Sequence, residues 1–212
     1  DLLPTRREAE EKLFHIINET VKRNGKILLP VLGVGRSQEV MVILEMAMRQ
    51  GLIPKMPIYL QGMLWDVTAI HTAYPDFFNA RIKRSIFHKD TNPFLSDIFK
   101  RIVSKKEQQE VIDSGESCII MATSGMMVGG ASVEYFKQLA ENPKHTLVFT
   151  CYQGEGSLGR RLLNGDKEIN FGSNEKPDMV YAKLDVFKLD GISEHSSRKQ
   201  LMTFVKHLDP KP

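Results

Sequence analysis

Three glycine-rich turns are the parts of this sequence best suited to bind an anion. They cover residues 33–37, 124–130 and 152–157, and each follows an apolar segment and precedes a helical one. Glycine lets the main chain approach an anion closely, and the N–H groups at a helix start point toward it. Arg36 adds a guanidinium that could grip a phosphate group with two hydrogen bonds. The first turn matches neither the dinucleotide-binding nor the P-loop pattern, which disfavours both kinds of site.

His195 is the most suggestive single residue, because it lies in a polar turn at the start of a helix. A histidine in that position can transfer protons near neutral pH, or it can simply cap the helix or lie on the surface. The closest pair of histidines, His195 and His207, is 12 positions apart, so the chain has no conventional zinc-binding motif. Cys118 and Cys151 each lie in an apolar run and are predicted to be reduced core residues.

Strand and helix patterns alternate along the chain and predict an α/β fold, a doubly wound parallel sheet with helices on both faces. In such a sheet the three turns lie at the carboxyl ends of the strands, where ligands bind. Ser37 is predicted to cap the helix that ends near Gln50. The spacing of Leu95, Ile98, Phe99 and Ile102 predicts a helix, and residues 179–189 read as one long strand.

Composition fits a soluble globular protein, with 42% hydrophobic and 26% charged residues in 212. The apolar runs are far shorter than the roughly 20 residues of a membrane span. The net charge of +3 is too small for a histone-like polyanion binder. Residues 81–106 are locally basic, and their cations could face phosphates or form the solvated outer faces of two helices. They are Arg81, Lys83, Arg84, Lys89, Lys100, Arg101, Lys105 and Lys106, against Asp90 and Asp97.

Four segments resemble motifs of the β-CASP branch of metallo-β-lactamase nucleases. Residues 29–39, LPVLGVGRSQE, resemble "IPVFALGRAQE", and residues 122–127, ATSGMM, resemble "ASPGMM". Residues 152–159, YQGEGSLG, resemble "GYxxEGTLG", and residues 192–201, ISEHSSRKQL, resemble "FSxHxDxxQL". The matches follow the family order across nearly the whole chain. They are most similar to archaeal relatives of the cleavage and polyadenylation specificity factor endonuclease, which process RNA 3′ ends.

The resemblance implies that residues 1–190 form a β-CASP domain. Residues 191–212 would then begin the segment that returns to a metallo-β-lactamase domain outside this chain. In that family RNA is cut in the cleft between the two domains. His195 aligns with the motif-B histidine, which stabilises or protonates the leaving oxygen. Ser197 stands where the family usually has Asp, so the carboxylate that would orient His195 is missing.

The chain is accordingly predicted to be the RNA-clamping portion of a zinc-dependent ribonuclease that acts in RNA 3′-end processing or decay. The two zinc ions belong to the parent enzyme, so the isolated chain should bind no metal and be inactive. Expected partners are single-stranded RNA and the missing metallo-β-lactamase domain, and the parent could form a homodimer. The expected location is the cytoplasm, without a membrane. The predicted RNA contacts are Gly35, Arg36, Ser37, Ser124, Gly125, Met126, Tyr152, Gly154, Glu155 and Gly156.

The alternative is a non-catalytic RNA-binding or scaffolding paralogue of the same superfamily. The presence of His195 favours the enzyme, whereas Ser197 in place of Asp mildly favours the paralogue. An intact HxHxDH motif upstream of this chain would decide for the nuclease.

Overall fold

A computed structural model describes residues 4–89, 91–192, 196 and 198–209. The strands of this part are β1 (Ile27–Pro30), β2 (Ile58–Gln61), β3 (Phe99–Ile102), β4 (Ile119–Ala122), β5 (Thr146–Phe149), β6 (Glu168–Asn170), β7 (Met179–Tyr181) and β8 (Asp185–Lys188). Six of them form one sheet in the order β3-β2-β4-β1-β5-β8, and every neighbouring pair is parallel. Strands β6 and β7 form a separate antiparallel pair.

The helices of the described residues connect these strands. They are α1 (Arg6–Lys22), α2 (Arg36–Arg49), α3 (Leu64–Ala73), α4 (Ala80–Lys89), α5 (Lys105–Asp113), α6 (Ala131–Leu139), α7 (Leu158–Leu163) and α8 (Arg198–Lys206), with short 3-10 helices at Pro75–Phe77 and Pro93–Leu95. None of them is long and apolar enough to cross a membrane. Helix α1 begins with a capping box, in which Thr5 and Glu8 each accept a main-chain hydrogen bond from the other.

The central strands are buried on both faces, as expected for a doubly wound parallel sheet. Along β1, Ile27 and Leu29 pack into a core with α1, α2 and α3, whereas Leu28 packs into a second core with α5, α6 and α7. Strand β4 alternates in the same way, with Ile119 and Ile120 on opposite sides. The fold class predicted from the sequence is therefore confirmed.

The helix predicted from Leu95, Ile98, Phe99 and Ile102 is wrong, because residues 99–102 form β3 at the edge of the sheet. In a strand, residues three apart point to opposite faces. Phe99 accordingly enters the core with α2, while Ile102 enters the core with α5. Lys100 and Arg101 between them remain exposed. The apolar spacing that is typical of one helix face thus arises from a short edge strand buried on both sides.

The single strand predicted over residues 179–189 is also wrong, because the segment is divided between two sheets. Strand β7 pairs with β6, and β8 pairs with β5. Between them, the main-chain N–H groups of Lys183 and Leu184 both donate to the carbonyl of Ala140, at 2.8 and 3.0 Å. These bonds tie the chain to the end of α6 and turn it into the main sheet.

Strand β8 leads into a segment that is held firmly up to Ile192. Leu189 and Ile192 are buried in the core that contains α1. A Cβ added to Gly191 would lie 2.7 Å from the carbonyl oxygen of Pro4, so the two chain segments are in close contact there. Helix α8 follows and buries none of its described residues. The domain boundary at residue 190 stays a prediction.

Candidate functional site

The three glycine-rich turns lie side by side at one edge of the sheet. They leave the carboxyl ends of β1, β4 and β5, which are neighbours in the order β4-β1-β5. Because all three strands are parallel, their carboxyl ends meet at the same edge. The structure therefore brings together the segments that the sequence placed far apart, and we call residues 31–37, 123–130 and 150–157 the turn edge.

Gly125 is the point at which the three turns touch. A Cβ built on this glycine would lie 2.9 Å from Sγ of Cys151, 3.1 Å from the main-chain nitrogen of Leu32 and 3.1 Å from the carbonyl carbon of Val31. The Gly125 carbonyl also accepts a hydrogen bond from Nε2 of Gln153 at 2.9 Å. Only a residue without a side chain fits so close to the main chain of another turn. Gly125 therefore fixes the spacing of the whole turn edge.

Cys151 supports the same junction as a neutral thiol. Burial raises its pKa above the ordinary value, against the opposing effect of the nearby Arg36 charge. The protonated Sγ lies 3.4 Å from the Gly125 carbonyl oxygen, to which it can donate. Both Cys151 and Cys118 are free and buried, as predicted. Cys151 is therefore a packing residue of the edge and is poorly suited to act as a nucleophile.

The hydroxyl of Ser124 is engaged within its own turn. Its Oγ donates to the carbonyl of Gly129 at 3.0 Å and accepts from the main-chain nitrogen of Val128 at 3.1 Å. The Ser124 carbonyl accepts from Oγ of Ser132 at 2.7 Å. These bonds close residues 124–129 into a compact loop before α6. Met126 is 36% exposed beside it and faces Gly154 of the next turn, whose added Cβ would lie 3.3 Å from the Met126 sulfur.

The turn after β5 alternates between buried and exposed side chains. Cys151 and Gln153 are buried, whereas Tyr152 between them is 68% exposed. The guanidinium of Arg160 lies over the Tyr152 ring at 5.5 Å, and its Nε donates to the Gln153 carbonyl at 3.0 Å. Glu155 and Gly156 are exposed at the end of the turn. Tyr152 therefore presents a ring that is supported from behind by a fixed cation.

Arg36 takes a role that its sequence position did not predict. Its side chain is nine-tenths buried, and Nη1 donates to the carbonyl of Thr150 at 3.0 Å and to the carbonyl of Ile192. The guanidinium of Arg36 points inward, so this geometry does not let it bind a phosphate with two hydrogen bonds. Instead, Arg36 connects the start of α2 to the turn after β5 and to the segment that precedes His195.

The cap predicted for α2 is also corrected. Helix α2 begins at Arg36 with Gly35 as its N-cap, and no side chain caps it. Ser37 is fully buried inside the first turn, where its hydroxyl contacts Gln38 at 3.2 Å. Helix α6 likewise begins after Gly130 without a side-chain cap. Helix α2 thus starts at the turn edge with N–H groups that no side chain caps, which favours a negatively charged ligand there. In α6, by contrast, the Ser132 N–H already donates to the Thr123 carbonyl at 2.9 Å.

Large apolar side chains are unusually exposed around the turn edge. They are Leu32, Val34, Met63, Met126, Val128 and Tyr152, which range from 36% to 74% exposed. Met63 follows β2, and its sulfur would lie 3.4 Å from a Cβ added to Gly33, so the turn after β2 joins the same surface. Exposed apolar side chains concentrated in neighbouring turns are typical of an interaction surface.

His195 lies outside the described residues, and so does Ser197. The structure describes the chain up to Ile192, three residues before His195. Within the ranges that the structure describes, no three His, Cys, Asp or Glu side chains come together in a way that could hold a metal ion. The zinc ions that the family resemblance implies thus find no fitting ligand set among these residues.

Sequence reasoning located the turns but missed several side chains that build the edge. Gln153, Arg160 and Met63 were not singled out, although Gln153 and Arg160 lie within or just after a recognised motif. One usable signal is the order Cys151, Tyr152, Gln153 directly after a buried strand. A large ring between two smaller residues there indicates an exposed side chain between two buried ones. The inward direction of Arg36 had no local signal, because its partners are 114 and 156 positions away in the chain.

Comparison with known proteins agrees with this geometry. A family model described as Beta-Casp domain matches residues 37–162, which is more than half of the chain. The chain is 48% identical over 213 aligned positions to transcription termination factor FttA of Methanocaldococcus jannaschii, covering 100% of this chain and 33% of that protein. The corresponding factor of Thermococcus kodakarensis is 49% identical over 208 positions, covering 98% of this chain and 32% of that protein.

The transcription termination factor FttA of Pyrococcus horikoshii is 47% identical over 213 positions, covering 100% of this chain and 33% of that protein. The chain thus spans about a third of the length of the curated relatives it matches. The matched range includes the turns after β4 and β5 and begins at Ser37, the last residue of the turn after β1. The chain belongs to the Beta-Casp domain family.

Proposed function

We propose that this chain is the RNA-clamping portion of a longer, zinc-dependent ribonuclease that hydrolyses RNA phosphodiester bonds in 3′-end processing or decay. The observation that carries the proposal is the turn edge itself, where three motif-bearing turns meet at Gly125. The relatives of this chain are named transcription termination factors. Because transcription termination acts on RNA as it is being made, these names support RNA as the ligand. Single-stranded RNA is recognised mainly by stacking of its bases and by contacts to its phosphates.

Each exposed part of the turn edge has a role in this proposal. The ring of Tyr152 stacks on a base, and Arg160 holds the ring in place. The uncapped N terminus of α2, at Gly35, faces a phosphate group. The Glu155 carboxylate repels phosphate and instead accepts hydrogen bonds from base amino groups.

The chemical step is assigned to residues outside the described part. By its resemblance to motif B, His195 donates a proton to the leaving oxygen, and general acid catalysis of this kind is worth roughly 10²- to 10⁴-fold in rate. Arg36 fixes Ile192, from which the His195 segment departs. The zinc ligands are assigned to the portion of the longer protein that this chain lacks, since the described residues offer no such cluster.

Binding of single-stranded RNA by Tyr152→Leu tests the proposal. Loss of one stacked base costs about 1–3 kcal/mol, or roughly 5- to 150-fold in affinity. Tyr181→Leu is the matched control, because Tyr181 is 45% exposed on β7 in the separate antiparallel pair. Tyr152→Leu should weaken binding while Tyr181→Leu does not. Equal affinities for both variants and the wild type would contradict the proposal.

The non-catalytic paralogue remains the second candidate, favoured by Ser197 in place of the family's Asp. The two candidates share the RNA contact and differ in cleavage. Incubation of the full-length protein with labelled RNA, with and without added zinc, separates them. Cleavage products that depend on zinc support the nuclease, and intact RNA under saturating binding supports the paralogue.

A further inference from the structure

A second surface with aromatic and basic side chains lies on the outer side of α4 and the 3-10 helix before it. Phe77 is 88% exposed, the largest value among the exposed large hydrophobic residues of the described chain. Tyr74 and Phe87 are 61% and 55% exposed. The rings of Tyr74 and Phe77 meet edge to face with centroids 6.5 Å apart. We call Tyr74, Phe77, Arg81, Arg84 and Phe87 the α4 face.

The α4 face is the outer side of a helix whose inner side is already packed. Phe78 packs against the core with α2 and stacks on Phe94 at 5.4 Å. Ile82 and Ile86 are half-buried on the same inner side. Arg81 and Arg84 are exposed, and their spacing of three places them together on the outer side. The exposed rings of the α4 face therefore take no part in packing α4 onto the core.

The cations of this segment are not neutralised within the described part of the chain. Arg81, Lys83 and Arg84 take part in none of its ion pairs, and Nη2 of Arg81 lies 3.1 Å from the Met46 sulfur on α2. Asp76 is the one exposed acid beside them in the described segment from Tyr74 to Lys89. Lys106 on α5, by contrast, is paired with Glu110 of its own helix at 3.9 Å. The α4 face therefore attracts anions.

Aromatic rings interleaved with free cations suit single-stranded nucleic acid. Bases stack on exposed rings without regard to sequence, and arginine contacts the phosphates between them. A dry protein interface would have to remove the Arg81 and Arg84 charges from water without partners, which is costly. Phosphates neutralise these charges while leaving them solvated.

We propose that the α4 face binds single-stranded RNA as an extension of the contact at the turn edge; this inference rests on the proposed function. Helix α3 links the two surfaces. It runs from Leu64, next to Met63 beside the turn edge, to Ala73, next to Tyr74, and its 10 residues span about 15 Å. An RNA strand that leaves the turn edge can follow α3 and reach Phe77.

Photocross-linking of the full-length protein to a single-stranded RNA that contains 4-thiouridine locates the contacts directly. Cross-linked peptides should come from the turn edge and from residues 74–87. Cross-links at the turn edge alone would overturn this inference and leave the proposed function intact. Cross-links at neither surface would overturn both.

Paired variants measure the contribution of the α4 face. Arg81→Ala with Arg84→Ala should weaken RNA binding and lower the slope of log affinity against log salt by about 1.4, because each phosphate contact on a single strand contributes about 0.7. Phe77→Leu should weaken binding several-fold without changing that slope. Lys105→Ala with Lys106→Ala is the control, since it removes the same charge from α5 on the other side of the sheet.

The outcome that the proposal requires is a loss specific to α4. An equal loss in the α5 control would show that only overall charge matters, and the proposal would fail. Wild-type affinity and slope in the α4 variants would also overturn it, and would assign the exposed rings to a protein partner. Circular dichroism of each variant checks that these exposed substitutions leave the fold intact.

Discussion

Substitution of Gly125 by alanine should push apart the turns that meet at the turn edge. The new Cβ would lie 2.9 Å from Sγ of Cys151 and 3.1 Å from main-chain atoms of Val31 and Leu32. Side chains can rotate away from such contacts, but the main chain of a turn that follows a buried strand cannot. The turns after β1 and β4 must therefore move apart.

The expected cost of Gly125→Ala follows from these contacts. Overfilling a packed site costs about 1–3 kcal/mol, and the lower entropy of an unfolded alanine returns about 0.4–1 kcal/mol. We expect a net loss of about 1.3 kcal/mol in the free energy of unfolding. For a domain of this size that corresponds to a fall of roughly 3–5 °C in Tm.

Gly115→Ala is the matched control for this measurement. A Cβ added to Gly115 meets nothing within 4 Å, so this substitution should leave stability unchanged or slightly higher. Thermal and urea unfolding of both variants give the difference directly, and RNA affinity should fall only for Gly125→Ala. If the two variants unfold alike, the contact between the three turns is not as close as described and the reasoning is refuted.

Burial, together with Lys26, Arg23 and Lys144, lowers the pKa of His145 to about 4, so folding favours its neutral form. Stability should be complete above the ordinary pKa of 6.5 and fall by up to about 3 kcal/mol as the pH drops toward 4, whereas His145→Gln should lose less in urea titrations over that range. Arg36→Met should cost about 3 kcal/mol in urea unfolding, because it leaves the buried Thr150 and Ile192 carbonyls without their donor. Arg36→Lys should recover part of this, and equal stability of the two variants would contradict the assignment. His195→Ala should lower cleavage by the full-length protein roughly 10²- to 10⁴-fold with RNA affinity unchanged, and a loss of bound zinc would instead make His195 a ligand.

The sheet could be predicted because its central strands are short apolar runs followed by glycine and a helix. Residues 26–32, 117–123 and 145–151 contain β1, β4 and β5. Strand β3 could not be identified in this way, since an edge strand buried at both ends imitates helical spacing. The break between β7 and β8 depends on hydrogen bonds to Ala140, which no local pattern reveals.

The location of the candidate site could be predicted, but the direction of its side chains could not. Parallel strands place their carboxyl ends together, so the three turns had to converge once the sheet was recognised. Arg36 in a glycine-rich turn is a residue type that binds phosphate, yet carbonyl groups far away in the chain draw it inward. Tyr152 was identified by its motif, whereas the support from Arg160 depends on the short helix α7.

Hydrogen exchange with and without single-stranded RNA tests the central claim most directly. Amides of the turn edge are followed by mass spectrometry in the free protein and at saturating RNA. The account predicts slower exchange in residues 31–37, 123–130 and 150–157, with no change in residues 114–117 and 141–145, which lead into the amino ends of β4 and β5 at the opposite edge of the sheet. Unchanged exchange throughout the turn edge at saturating RNA would contradict it.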